Sequence, residues 1–165
     1  MHLDPDFSCL SYGDRGERAK QIKAKLGEGD LLVFYAGLQD VHSNSRLVYA
    51  LIGLYVIDTI VLATSVPKKD WDRNAHTRRD LAPGADDTVI FAKPGLSGRL
   101  ERCLPIGEYR DRAYRVKRDI LEAWGDLTVK KGYLQRSARL PEFSAPAKFY
   151  RWFQAQGIPL CQRIN

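Results

Sequence analysis

Hydrophobic and polar positions fall into distinct blocks along this chain of 165 residues. Residues 1–13 have no periodicity and are rich in turn-formers, so Asp4-Pro5-Asp6 and Tyr12-Gly13-Asp14 read as turns. Residues 15–26 set Ala19, Ile22 and Leu26 on one stripe, with Lys20, Lys23 and Lys25 off it. That spacing predicts a helix, stopped by Gly27 and Gly29. Residues 31–36 are an unbroken apolar run too short for a helix, which predicts a strand buried on both faces and ending at Gly37. A second run over residues 47–57 predicts another strand, with Gly53 marking a bulge or a close approach to the backbone. Asp58-Thr59 interrupts it, and residues 60–63 form a further short strand or a bend of the same one.

Residues 65–87 are a polar connection, and a loop of that length inside a domain is usually functional or mobile. Residues 88–92 predict a third strand, followed by a turn over 93–98 that opens into residues 99–102. The strongest helical pattern covers residues 112–124, where Ala113, Val116, Ile120 and Trp124 share a stripe, Asp111 is the N-cap and Gly125 the stop. A last helix is predicted from 145 to 156, with Ser144 as cap, Pro146 in its first turn and Gly157 beyond it. Its apolar side is Phe149, Trp152 and Phe153. The pattern as a whole predicts an α+β protein: a small mixed β-sheet core with flanking helices, in a single domain over residues 1–165.

Composition excludes several classes. A hydrophobic share of 44% and a charged share of 28% are those of a globular chain, not a disordered or fibrous one. The 17 residues 47–63 contain Asp58 and fall short of the roughly 20 apolar residues that a membrane helix requires, so no membrane partner is expected. Cys9, Cys103 and Cys161 lie too far apart for a metal knuckle or a disulfide framework. Met1-His2-Leu3-Asp4 lacks the basic-then-apolar signal pattern, and a reducing, cytoplasmic setting is expected.

Charge changes the picture further. The formal net charge is +6; residues 1–82 carry 11 basic and 11 acidic side chains, residues 83–165 carry 15 and 9. Arginine outnumbers lysine 16 to 10, and a one-sided, arginine-rich surface attracts polyanions. Within 99–118, Arg99, Arg102, Arg110, Arg112, Arg115, Lys117 and Arg118 face only Glu101, Glu108 and Asp111, with Tyr109 and Tyr114 interleaved. Arg102, Arg110, Arg112, Arg115, Lys117 and Arg118 are therefore the candidate phosphate contacts. The plain alternative is a solubilising surface.

Glycine-rich dinucleotide and phosphate loops, His-Glu-x-x-His and Gly-x-Ser-x-Gly are all absent from the sequence. The most suggestive cluster is His2-x-Asp4-x-Asp6, because alternate residues of an extended segment point to one side. His2, Asp4 and Asp6 are accordingly the candidate catalytic residues, as a base with its orienting partner or around a divalent metal. The competing reading has Asp4 and Asp6 making local turns around Pro5. His76, Arg78 and Arg79 on the long loop suit a phosphate or a stacked base, and a solvated charged loop is their plain reading. Tyr35, Tyr49 and Tyr55 are candidate walls for a base, although such tyrosines are more often core, and Ser97 with Arg99 offers an anion-binding turn.

The order of several short motifs carries a resemblance. His2-Leu3-Asp4-Pro5-Asp6, Gly29-Asp30 running into Leu31–Gly37, Ile52-Gly53-Leu54-Tyr55-Val56-Ile57, Ala75-His76-Thr77-Arg78-Arg79 and Arg136 through Phe143 occur in sequence. Together they resemble the nucleotide modification associated domain family, in particular its third subtype. The family takes its name from gene neighbourhoods concerned with modified DNA bases, so the resemblance implies a role in such a system without naming a reaction. It also implies a further segment ahead of the His-Leu-Asp-Pro-Asp motif, with which this chain begins. A looser likeness, in the Gly-Asp turn, the strand ending Phe-Tyr and the Ile-Gly strand, is to PUA-like barrels such as the EVE and YTH domains. It implies a PUA-like β-barrel core as the alternative to an open sheet.

The function expected from these observations is a nucleic-acid-associated domain that binds DNA or a modified base, with RNA as the other polymer. The alternative is an enzyme acting on a nucleotide or modified base through a His/Asp site, with a divalent metal as its conceivable cofactor. A third reading is a scaffold subunit that docks through an exposed aromatic face of its last helix.

Overall fold

The computed structural model describes residues 4–39, 42, 47–134 and 140–163. The elements in chain order are β1 (Ser11–Asp14), α1 (Glu17–Lys25), β2 (Leu31–Leu38), β3 (Val48–Leu62), β4 (Thr88–Ala92), β5 (Gly98–Pro105), β6 (Gly107–Arg110), β7 (Ala113–Val116), α2 (Arg118–Trp124), α3 (Pro146–Ala155) and β8 (Leu160–Cys161). Six strands form one sheet in the order β1-β4-β3-β5-β8, with β2 also pairing β3, and β6 and β7 form a separate hairpin. The fold is α+β, as the periodicities predict. The PUA-like barrel is not realised: among the described residues the main sheet is open, its strand path ending at β1 and β8.

The chain packs into two compact units. The first is Met1–Val33, Gly53–Arg99 and Leu160–Asn165; the second is Phe34–Ile52 and Leu100–Pro159. The backbone passes from one to the other within β2, β3 and β5, and again ahead of β8.

In the first unit, β4 pairs antiparallel with β1 on one side and with the end of β3 on the other. All five β4 residues are buried, as a continuous apolar strand covered on both faces requires. The β3–β4 register shifts between Ile57 and Thr59, so Asp58 is taken up as a bulge and stays exposed. That bulge is why residues 60–62 continue the same strand. Gly53 is the close approach expected of it, since a Cβ there would meet the Phe7 ring and, at 2.7 Å, the carbonyl oxygen of Gly98. Tyr55 is fully buried and donates its hydroxyl hydrogen to the Asp6 carbonyl at 2.8 Å, fastening residues 6–11 to the core strand. A small apolar group of Ala63, Val66, Val89 and Phe91 closes beneath the 65–87 connection, which contains a 3-10 turn at Lys68–Arg73.

The second unit corrects the helix expected over 112–124. Residues 107–116 are a hairpin, and only Arg118–Trp124 is helical. Asp111 and Arg112 both have positive φ, 51° and 60°, the conformation of a tight two-residue hairpin turn. Asp111 therefore turns the chain instead of capping a helix. Tyr109 faces Tyr114 in register, and Ala113 and Val116 are both buried although they point to opposite faces of β7. Two apolar residues three apart fit a strand buried on both sides as well as they fit a helical stripe, and cross-strand pairing decides between the two.

α2 packs against α3, which begins at Pro146 with Ala145, not Ser144, as N-cap. Trp124 contacts Phe149, Trp152 and Phe143 at ring-centroid distances of 5.2, 5.3 and 5.5 Å. Phe149 and Phe153 are buried and Trp152 half-buried, so the last helix spends its aromatic side on its own core. Of the three rings that the scaffold reading needs partly exposed, only Trp152 is so. No helix among the described residues is long and apolar enough to cross a membrane.

Candidate functional site

Three distant segments of the first unit meet at one imidazole. His76 is buried, and its Nδ1 lies 2.5 Å from Asp87 Oδ1 while its Nε2 lies 3.3 Å from Asp4 Oδ2. Two ring nitrogens facing two carboxylates are both served only by the imidazolium, which has two N–H donors. The contact with Asp4 raises the His76 pKa above its ordinary 6.5; burial opposes that, and Asp87 adds to the rise. Burial pushes Asp87 up, but His76 and Arg79 outweigh it and hold its carboxyl below the usual 3.8. Arg79 Nη2 makes a close ion pair with Asp87 Oδ1, so the inner carboxylate is itself anchored.

Backbone and neighbouring polar groups fix the parts. Gly13 N–H donates to Asp4 Oδ1 at 3.0 Å, and Asn74 Nδ2 reaches the same oxygen at 3.4 Å. Asn74 also donates to Ser11 Oγ at 3.0 Å, while its own Oδ1 accepts the His76 N–H at 2.8 Å. Ala63 N–H donates to the Asp87 carbonyl at 2.8 Å, tying the end of the long connection to the end of β3. Gly13 leaves room for this assembly, because a Cβ there would run into the His76 ring and meet Asn74 Oδ1 at 2.7 Å. Of the three central side chains, Asp4 is the most exposed, at 15% against 9% for His76 and 6% for Asp87.

The ring can carry a proton at Nε2, facing Asp4 Oδ2, with Asp87 and Arg79 orienting it from behind. That is the arrangement a general acid–base pair needs. Other groups nearby are unsuited to it. Burial and the Asp6 charge raise the Cys9 pKa, which keeps its thiol protonated. Burial, then the hydrogen bond to Asp14, does the same for the Tyr12 phenol, whose hydroxyl donates to Asp14 Oδ2 at 2.5 Å. Among the described residues, no group of three or more His, Cys, Asp and Glu side chains is arranged to hold a metal ion.

The residues singled out from sequence divide sharply. His2 lies outside the described residues. Asp4 joins His76. Asp6 instead accepts the N–H groups of Ser8 and Cys9, both at 3.0 Å, in its own turn, and its second oxygen lies 3.7 Å from Arg78 Nη2. Asp6 thus makes the local turn, while Asp4 converges with His76 and Asp87 and not with Asp6. Ser97 is buried with its hydroxyl accepting the Val56 N–H at 2.9 Å, which pins the 93–97 turn to β3. Arg99 is half-buried at the start of β5.

Tyr35 belongs to the second unit, where it touches Tyr49. The phosphate candidates are also there, spread over several elements: Arg102 exposed on β5, Arg112 exposed at the hairpin turn, Lys117 half-buried, and Arg118 exposed at the start of α2. Arg110 pairs with Glu108 at 2.9 Å, and Arg115 donates to the Lys130 carbonyl at 3.0 Å while lying over the Tyr133 ring. Asp87, Asn74, Ser11 and Gly13 are the site residues that the sequence did not single out.

A family model described as nucleotide modification associated domain 3 matches residues 1–146. The chain belongs to the nucleotide modification associated domain 3 family. Comparison with curated proteins and with solved structures gives no match. The family match takes in Asp4, His76 and Asp87 of the first unit and the β6–β7 hairpin of the second, and ends at the first residue of α3. Its name associates the chain with nucleotide modification.

Proposed function

We propose that this chain carries out an acid–base step on a base or nucleotide in a nucleic-acid modification system, with Asp4 and His76 as the proton-transferring pair. Asp87 and Arg79 orient the ring, and Gly13 and Asn74 hold the far oxygen of Asp4. The observation that carries the reading is the imidazole of His76 held between the carboxylates of Asp4 and Asp87. A buried ring and an adjoining carboxylate that remains partly accessible suit proton transfer to a bound molecule.

The direct test incubates the protein with plain and modified nucleotides and oligonucleotides and follows product mass. Wild type should convert one of them, and Asp4→Asn and His76→Gln should not. Conversion that survives both substitutions would remove the pair from the chemistry.

A second reading, binding of DNA or a modified base, is favoured by the charge of the second unit. Its ranges hold thirteen basic and eight acidic side chains, against thirteen and twelve in the first. Binding that falls steeply with salt and survives a chelator supports it.

A further inference from the structure

Four tyrosines of the second unit form a continuous run. Tyr35 on β2, Tyr49 on β3, Tyr114 on β7 and Tyr109 on β6 touch in that order, with ring centroids 6.0, 4.9 and 5.2 Å apart. None of the four is buried, and Tyr109, at 56%, is the most exposed of the large hydrophobic side chains in the described residues. The tight turn at Asp111-Arg112 and the Tyr109–Tyr114 register hold the outer two rings on one face of the hairpin. By strand alternation, Glu108, Arg110 and Arg115 lie on the other face, where they already have partners. The cations left exposed in this unit include Arg102, Arg112 and Arg118.

Tilted aromatic rings that stay partly accessible, on a unit of net positive charge, match a flexible polyanion that presents ring faces of its own. A duplex hides its base faces in the stack, whereas an unpaired strand offers them to aromatic side chains without regard to sequence. From this charge and ring complementarity we infer that the tyrosine run is a stacking platform for single-stranded DNA, with Tyr109 as its outermost ring. The inference rests on the second reading above, that the chain contacts DNA, and it is independent of the chemistry at Asp4 and His76.

The test is fluorescence anisotropy with a labelled oligo-dT strand, the matching duplex and an oligo-rU strand, across a salt series. Wild type binds oligo-dT about tenfold more tightly than the duplex. Tyr109→Ala weakens oligo-dT binding about tenfold, and Tyr109→Phe leaves it unchanged. Tyr109→Thr, which keeps a β-branched residue on the strand, repeats the loss if the alanine variant folds poorly. Arg112→Ala lowers the salt slope by about 0.7, one phosphate contact on a single strand. Equal affinity for strand and duplex with both ring-deleting variants silent overturns the platform while leaving the DNA-binding reading intact. Tighter binding of oligo-rU than of oligo-dT overturns the assignment to DNA. No binding of any nucleic acid at low salt overturns the second reading as well.

Discussion

The first unit keeps its charge almost balanced, at thirteen basic to twelve acidic side chains, and brings part of it inside around His76. The second has the same number of basic residues with only eight acidic ones, and it leaves Arg102, Arg112 and Arg118 at the surface beside no comparable buried network in the described residues. Its interior is aromatic instead, built on Trp124, Phe143 and Phe149. Buried, mutually paired charge is costly to assemble and contributes little stability over an apolar replacement, so a network of that kind points to chemistry or specificity. Exposed cations and rings cost little and select a partner. The difference teaches that one chain can keep its buried, paired charge and its exposed cations in separate units.

The largest expected effect breaks the units apart by function. Asp4→Asn or His76→Gln should lower turnover on the true substrate by about 10²–10⁴-fold, the usual share of general acid–base catalysis. Oligonucleotide affinity, measured on the same preparations, should stay unchanged. An equal fall in affinity would mean that the separation is false.

Next come two deletions that compare the interiors. Trp124→Ala in the second unit should cost about 3–5 kcal/mol in urea unfolding, as large-to-small aromatic core changes do. Asp87→Ala in the first should cost about 3 kcal/mol, because it leaves the buried His76 ring without one of its two carboxylates. A smaller test is Tyr55→Phe, which removes one buried hydroxyl bond to Asp6 and should cost about 1 kcal/mol.

The paired charge in the first unit also has a pH signature. His76 is raised in the folded protein, so its contribution is complete below the ordinary value of 6.5 and is lost as pH rises through the higher folded value. Asp87 is lowered, so its contribution is present above 3.8 and is lost as pH falls through its depressed value. Unfolding of wild type against His76→Gln should therefore show a gap that is largest in weak acid and narrows toward alkaline pH. The smallest effect is at the hairpin turn. Arg112→Gly relieves a positive φ of 60° and should stabilise the protein by about 1 kcal/mol or less, while removing one exposed cation of the second unit.

The strands were the most legible feature, because residues 31–36, 47–57 and 88–92 are apolar runs too short for helices. The stretch 112–124 misled because Ala113 and Val116 are spaced for a helix but are buried on the two faces of a strand, and their pairing partners lie outside that window. Of the site, Asp4 and His76 carried a sequence signal, one in a His-x-Asp-x-Asp motif and one in a long loop. Asp87 did not, since an acidic residue just before a strand looks like any turn, and only the folded β3–β4 pair carries it to Nδ1 of His76. Gly13 could be read as a turn glycine; its further role, making room for an imidazole 63 positions along the chain, depends on tertiary packing.

The most direct measurement is an NMR titration of the imidazoles, three in this chain, in wild type and in Asp4→Asn. One resonance should titrate above 6.5 in wild type and move down in the variant, because the bond to Asp4 is the largest contribution raising it. A His76 signal that titrates at 6.5 or below in wild type, and does not move when Asp4 is replaced, would contradict the carboxylate–imidazole–carboxylate site on which the account stands.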